Sequence, residues 1–275
     1  MTASGHEQRT LLEPVTLSGI GVHSGARVTV VCRPAPAGAG ITLVRADLPA
    51  ARPVAARVAS VTDATRGVTL GGSTGVRTVE HLLAAAWGVG ITNLRVDVDG
   101  AELPALDGSA APFCLAFEDA GLTEQDGALD PLAPAEPVWV QRASAWVLAL
   151  PAERFRATYI VPLSSAALGI QVIDVEMDRR RFVREFAPAR TWGFVEELQA
   201  LRAAGLARGA SEENALGIGP QGYIGTPRFV DEPARHKVLD LIGDLSLLGR
   251  PLHAHVIAFG AGHALHIELA RRLAG

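Results

Sequence analysis

Two separated stretches of this chain, 78–120 and 233–273, carry the same order of elements: helix, short loop, strand, loop, helix. Their identity is weak, so the repeat rests on element order alone, and it predicts two similar units made by duplication. Strand-like segments precede each helical stretch. Runs of strands followed by helices imply layered α+β units and argue against a doubly wound sheet. A length of 275 residues suits two such units. The stretch Asp126 to Pro137, DGALDPLAPAEP, is rich in Pro and Ala and lacks periodicity, so it reads as the linker. The expected units are residues 1–127 and 128–275, each a sheet packed on helices.

Alternating apolar residues predict strands at Ala26 to Arg33, Asn93 to Val98, Trp146 to Leu150, Arg156 to Val161 and Leu252 to Phe259. Thr78 to Trp87 reads as a helix with Thr78 as N-cap and Gly88 as its stop. Further helices are expected at Pro112 to Ala120, Phe194 to Ala204, Pro233 to Leu248 and His263 to Leu273. Hydrophobic residues make up 48% of the chain, enough for a sizeable core, and the net charge is −4. That balance excludes a global field for nucleic acid and leaves an anionic small substrate to be met by a local basic group. The run Arg179 to Arg181 reads as a solvated face. Cys32 and Cys114 cannot build a disulfide framework or a cysteine-rich metal site. The first ten residues, MTASGHEQRT, lack the apolar core of a signal peptide, and no apolar run reaches the ~18 residues that span a bilayer. The cytosol is the expected compartment, with at most peripheral membrane contact.

The strongest chemical signal is RHKVLDLIGD, residues 235–244. On a helix His236 and Asp240 fall one turn apart on one face, with Asp244 a turn further on. Val238, Leu239, Leu241 and Ile242 point elsewhere and can face a core. Imidazole and carboxylate at that spacing can chelate one metal ion, or simply hydrogen-bond to each other. Glu80 and His81 open another helix. His81 could complete a two-histidine, one-carboxylate set that leaves a coordination position open, while Glu80 serves as base; the simpler reading is a stabilising first-turn Glu and a packed His. In GAGHAL, residues 260–265, His263 reads as a proton donor or an exposed histidine, with Asp244 as its partner. His266 is expected at the surface. Thr191, in ARTWGF (189–194), reads as an oxyanion donor or as the cap of the next helix. Asp107 or Ser109 reads as a helix cap, and His23 as part of a hairpin turn.

Together, SGIGVHSG (18–25), TVEHLLAA (78–85), ALDGSAAPF (105–113), ARTWGF (189–194), GLARGAS (205–211), RHKVLDLIGDL (235–245) and GHAL (262–265) resemble the UDP-3-O-acyl-N-acetylglucosamine deacetylases. They occur in the family's order across nearly the whole chain. The resemblance implies two similar α+β domains, each with a small insert, and an active site between them. It implies Zn2+ on His81, His236 and Asp240, Glu80 as base, and His263 as the charged group near the leaving amine, with Asp244 behind it. Thr191, Lys237, Trp192 and Phe194 then face the substrate. The implied reaction is hydrolysis of the N-acetyl group of a UDP-linked acylated amino sugar, a step of lipid A synthesis, and the chain is expected to act as a monomer. Ala166 to Val175, with Leu168, Ile170, Val172 and Ile173, is the expected lining of an acyl passage.

The chain departs from the family at two places. Gly260 stands where the family usually has Lys, and Trp192 where it usually has Phe. Two other readings therefore stand beside the first: a zinc amidase acting on a nucleotide-free acylated amino sugar, and a non-catalytic zinc-binding protein. Retention of Glu80 speaks against the second, because a structural site needs neither base nor open position.

Overall fold

The computed structural model describes residues 6–275; residues 1–5, part of the N-terminal stretch read above, lie outside it. In chain order, the first half holds β1 (Glu7–Leu11), β2 (Val15–Ile20), β3 (Arg27–Pro34), β4 (Ile41–Arg45), β5 (Val54–Ala55), β6 (Val61–Asp63), β7 (Thr69–Leu70), β8 (Val76–Arg77), α1 (Glu80–Val89), β9 (Leu94–Val98), α2 (Ala111–Asp119) and β10 (Leu122–Ala128). The second holds β11 (Val138–Arg142), β12 (Ala145–Pro151), β13 (Arg156–Pro162), β14 (Ile170–Glu176), α3 (Arg179–Glu185), β15 (Trp192–Phe194), α4 (Leu198–Ala203), β16 (Leu216–Gly219), β17 (Gly222–Ile224), α5 (Glu232–Leu245), β18 (Ala254–Phe259) and α6 (His263–Ala274).

Each half contains a five-stranded sheet, ordered β2-β3-β9-β4-β5 and β11-β12-β18-β13-β14. Corresponding neighbours pair in the same sense. The strand that joins each five-stranded sheet last in chain order, β9 or β18, runs antiparallel to one neighbour and parallel to the other. Each half also carries a three-stranded sheet, β6-β7-β8 or β15-β16-β17, which in chain order lies between β5 and α1 or between α3 and α5.

Helices α5 and α6 lie on the second sheet, and α1 packs against α5, α2 and α3. Nine of the ten residues of α1, EHLLAAAWGV, are buried. Beyond Glu80 and His81 the helix is apolar on every side, which suits that central position. Its small residues let neighbours close in. A Cβ on Gly88 would meet Phe182 Cδ1 of α3 at 2.4 Å, and one on Gly243 of α5 would meet Glu80 O at 2.2 Å. The α1–α5 crossing is therefore tight where both helices carry their polar groups. Leu82, Leu83, Leu239 and Leu241 join the apolar cluster shared by both halves, each burial stabilising by roughly 1.5–3 kcal/mol.

Several predicted boundaries shift. Thr78 does not cap α1: it sits at φ +60° and its hydroxyl donates to Glu102 Oε1, while Val79 occupies the cap position. The helix runs through Gly88 and stops at Gly90, φ +86°. β10 extends to Ala128, so the connection is shorter than the stretch from Asp126 to Pro137. The helix expected from Phe194 begins as strand and a 3₁₀ turn, with α-helix only over Leu198–Ala203. Ala166 to Val175 does not line the site: β14 is an edge strand with Ile170 and Val172 turned to solvent. Its period-2 apolar pattern reports a half-buried strand, not a passage.

Candidate active site

Helix α1 begins at Glu80, and a helix N-terminus favours a carboxylate there. The side chain is buried, and Oε2 accepts the Val68 backbone N–H at 3.0 Å. Burial, followed by the charges of Asp244 and Asp240, outweighs the opposing effect of His263 and raises the Glu80 pKa to about 7. His81 follows on the same turn. Burial is the first cause that lowers its pKa to about 3, so its ring is neutral.

Pro233 stands in the first turn of α5. Its buried Glu232 accepts from the Arg190 backbone N–H and Nε, both at 2.9 Å, and from Arg228 N. This ties residues 189–192 to the start of α5. His236 then donates Nδ1–H to Ala189 O at 3.0 Å, which leaves the Nε2 lone pair free. One turn on, Asp240 Oδ1 lies 3.3 Å from His236 Nε2 and 3.8 Å from His81 Nε2. Asp240 Oδ2 accepts from Lys237 Nζ at 2.8 Å. Burial disfavours the Asp240 charge, but His236, Lys237, His263 and His81 outweigh it and hold the carboxyl well below the usual range.

Asp240 Oδ1 is buried and has no hydrogen-bond partner among the described residues. With the His236 proton committed to Ala189 O, the His236 Nε2 lone pair and this oxygen face each other 3.3 Å apart with no proton between them, and His81 Nε2 stands 3.8 Å away. That arrangement is repulsive unless a cation sits among them. The ligand atoms of His81, His236 and Asp240 all lie within 4.8 Å of one another, a dispersion that one metal ion spans. Asp244, His263 and His266 are equally close, but there the ring nitrogens are already engaged. His263 Nδ1 and His266 Nδ1 each donate to Asp244 Oδ2 at 2.8 Å.

His263 opens α6 with its Nε2 3.9 Å from Glu80 Oε1 and 3.8 Å from Asp240 Oδ2. Burial opposes its charge, yet Asp244, Asp240 and Glu80 together raise its pKa to about 10, so the ring is protonated. His266 is not at the surface as expected. It is fully buried, its pKa lowered first by burial. It donates Nδ1–H to Asp244, and its Nε2 lies 2.8 Å from the Tyr159 oxygen, whose hydroxyl donates to Ala261 O.

Thr191 lines the same cavity and caps no helix, since strand β15 follows it. Its backbone N–H donates to Gly108 O and its carbonyl accepts from Leu216 N. Trp192 donates Nε1–H to Pro233 O and stands 5.8 Å from Lys237 Nζ, with Phe194 edge-on to it. The cavity measures about 660 Å³, and one side of its wall is apolar, formed by Phe194, Val195, Leu198, Leu201, Ala207 and Ile224 of the second insert, with Arg202, Ser211 and Glu212 of the same insert also lining it. His23 closes the opposite rim. It lies in a hairpin turn, donates Nε2–H to Arg66 O and accepts from Ala207 N at Nδ1, so both ring nitrogens are engaged away from the cluster. Two anchors escaped the reading of the sequence: Glu232 and Glu102. Glu102 accepts from His23 N and Ser24 N.

Two histidines, a carboxylate and a buried glutamate converging beside a protonated histidine define the kind of centre that metal-dependent hydrolases use. Residues 8–275 match the family described as UDP-3-O-acyl N-acetylglycosamine deacetylase (LpxC), and the chain belongs to it. It is 43% identical to a UDP-3-O-acyl-N-acetylglucosamine deacetylase of Nostoc sp. over 97% of this chain and 98% of that protein. It is 44% identical to one of Myxococcus xanthus, over 99% and 88%.

Proposed function

We propose that this chain hydrolyses the N-acetyl group of a UDP-3-O-acyl-N-acetylglucosamine, releasing acetate and a free amine, with zinc held by His81, His236 and Asp240. The observation that carries the reading is the unpartnered Asp240 Oδ1 facing two imidazole nitrogens, with Glu80 alongside. Family membership and the relatives' names supply the substrate. When bound, zinc would polarise the amide carbonyl and bring the pKa of a water toward neutrality. Glu80 is the base: buried and tuned near neutral pH, it takes a proton as water attacks. Protonated His263, held by Asp244, donates to the departing amine, and the Thr191 hydroxyl adds a donor for the oxyanion. The acyl chain follows the insert wall from Phe194 toward Ile224. The same reading takes residues 1–127 and 128–275 as duplicated domains, supported by the shared strand order and sense of the two five-stranded sheets. One chain supplies every group, so a monomer suffices. Among the described residues no helix is long and apolar enough to cross a membrane. The cytoplasm, where the nucleotide-linked sugar would be met, is the proposed location. Purified protein should carry one zinc per chain and release acetate from the UDP substrate; zinc-replete protein that releases none would sink the assignment.

Gly260 favours a second reading, hydrolysis of a nucleotide-free acylated amino sugar. It sits at φ +54°, a region a side chain resists by roughly 1–2 kcal/mol, so a lysine here would be strained. Arg142, on the hairpin between β11 and β12, lines the cavity near this point and offers a replacement cation. Arg142→Ala should raise KM for the UDP substrate about fivefold and leave kcat nearly unchanged, the pattern of lost uniform binding. An unchanged KM, with a UDP-free substrate turned over equally well, would favour the second reading.

A further inference from the structure

A second cavity, of about 490 Å³, opens where the two halves meet at the other ends of the site helices. Trp87 and Gly90 from the end of α1, and Ser246 and Gly249 just past α5, line it, and it shares no lining residue with the hydrolytic cavity. Its size falls within the ~300–1,000 Å³ of small-molecule sites. Leu83, Trp87, Ile91, Phe155, Met177 and Leu252 form an apolar wall.

Arginines dominate the charged part of its lining, although the chain as a whole carries a net −4. Arg57, Arg154, Arg179, Arg180 and Arg250 surround the cavity, with Asp178 the one carboxylate among the described lining residues. Its Oδ1 caps α3 by accepting from Arg181 N, and it forms no ion pair with Arg57, Arg179 or Arg180 among the described residues. Arg154 pairs with Glu176 at an exposed edge, and Arg250 donates only to the carbonyls of Asp130 and Pro131. Arg57, Arg179 and Arg180 have no acidic partner among the described residues. Two of these guanidinium groups are seated on glycines. A Cβ at Gly249 would overlap Arg57 Nη1, and one at Gly90 would meet Arg179 Nη1 at 2.6 Å. Arg179 is partly buried, and burial followed by Arg9 holds its pKa below the usual arginine value. A partly desolvated, unneutralised cation beside an apolar wall is costly unless an anion joins it.

We propose that this cavity is a second ligand site, separate from the hydrolytic one, for a small amphipathic anion. Its phosphate or carboxylate head lies among Arg57, Arg179 and Arg180, and its aliphatic body packs on Trp87, Phe155 and Met177. Arginine favours such heads because its fork donates two parallel hydrogen bonds to them. The reading goes beyond hydrolysis and does not depend on it.

Octyl phosphate, octanoate and inorganic phosphate, each titrated into the zinc-loaded protein, test the proposal through tryptophan fluorescence. Octyl phosphate or octanoate should change the emission at least roughly tenfold more tightly than inorganic phosphate, because the aliphatic body contributes burial. Comparison of the two alkyl probes assigns the head as phosphate or carboxylate. Trp87→Phe should abolish the signal and Trp192→Phe should keep it. Arg57→Gln with Arg179→Gln should weaken binding at least about tenfold with kcat/KM for the hydrolytic substrate unchanged. Arg180→Gln, at an exposed rim position, should weaken it in the same direction and guards against a misfolded double variant. A signal that survives Trp87→Phe and vanishes in Trp192→Phe would put the ligand in the hydrolytic cavity and overturn the proposal. So would arginine variants that bind as the parent does, or an absence of binding by either alkyl probe.

Discussion

Replacing His236 with alanine should remove the metal and the activity together. His236 Nδ1 is tied to Ala189 O, so its ring is fixed with Nε2 aimed at the centre before any metal arrives. Loss of an outer partner alone usually costs ~10–100-fold in metal affinity, and loss of a ligand costs more. The variant should emerge from purification with little zinc and recover little turnover at added zinc. Its melting temperature should stay close to that of metal-free parent protein, because the ring is not part of the apolar cluster between the halves. Metal analysis, acetate release and a thermal melt check all three. Full zinc occupancy with parental turnover would remove His236 from the ligand set.

The helix α5 was readable because its geometry is local. A 100° step fixes which residues of RHKVLDLIGD share a face, and His236, Asp240 and Asp244 fall where that step puts them. His81 is different. Nothing in the dipeptide Glu80–His81 says that α1 will cross α5, because the crossing depends on the bare Cα of Gly243 against Glu80 O. Only the ordered set of motifs linked the two helices in advance. The repeat of element order likewise anticipated the two sheets, but not that their pairing senses would match strand for strand.

What stayed hidden is what depends on partners distant in sequence. His266 reads as one more polar residue at the start of a helix, yet Tyr159 on β13 and Asp244 on α5 enclose it. Glu102 and Glu232 spend their oxygens largely on backbone N–H groups, which carry no sequence signal. The apolar wall was misplaced for a related reason. Alternation in Ala166 to Val175 marks a strand with one buried face, and no local pattern tells which cavity, if any, that face meets.

Glu80→Ala should separate chemistry from metal binding. Glu80 is not one of the three residues whose donor atoms converge, and its Oε2 is held by Val68 N. The variant should therefore keep about one zinc per chain. Turnover should fall by ~10²–10⁴, the usual contribution of a positioned general base. KM should change much less than kcat, since the loss falls on an interaction made in the transition state. The residual rate would come from the metal, Thr191 and His263, which the substitution leaves in place. Structural damage is the rival explanation, because Glu80 also anchors residue 68. Glu80→Gln answers it: the amide oxygen can still accept from Val68 N, while the group can no longer take a proton. If glutamine and alanine both lose turnover while zinc content and melting temperature hold, Glu80 acts as the base. A glutamine variant within threefold of the parent kcat would show that Glu80 only supports the loop, and the base would have to be sought elsewhere in the cavity.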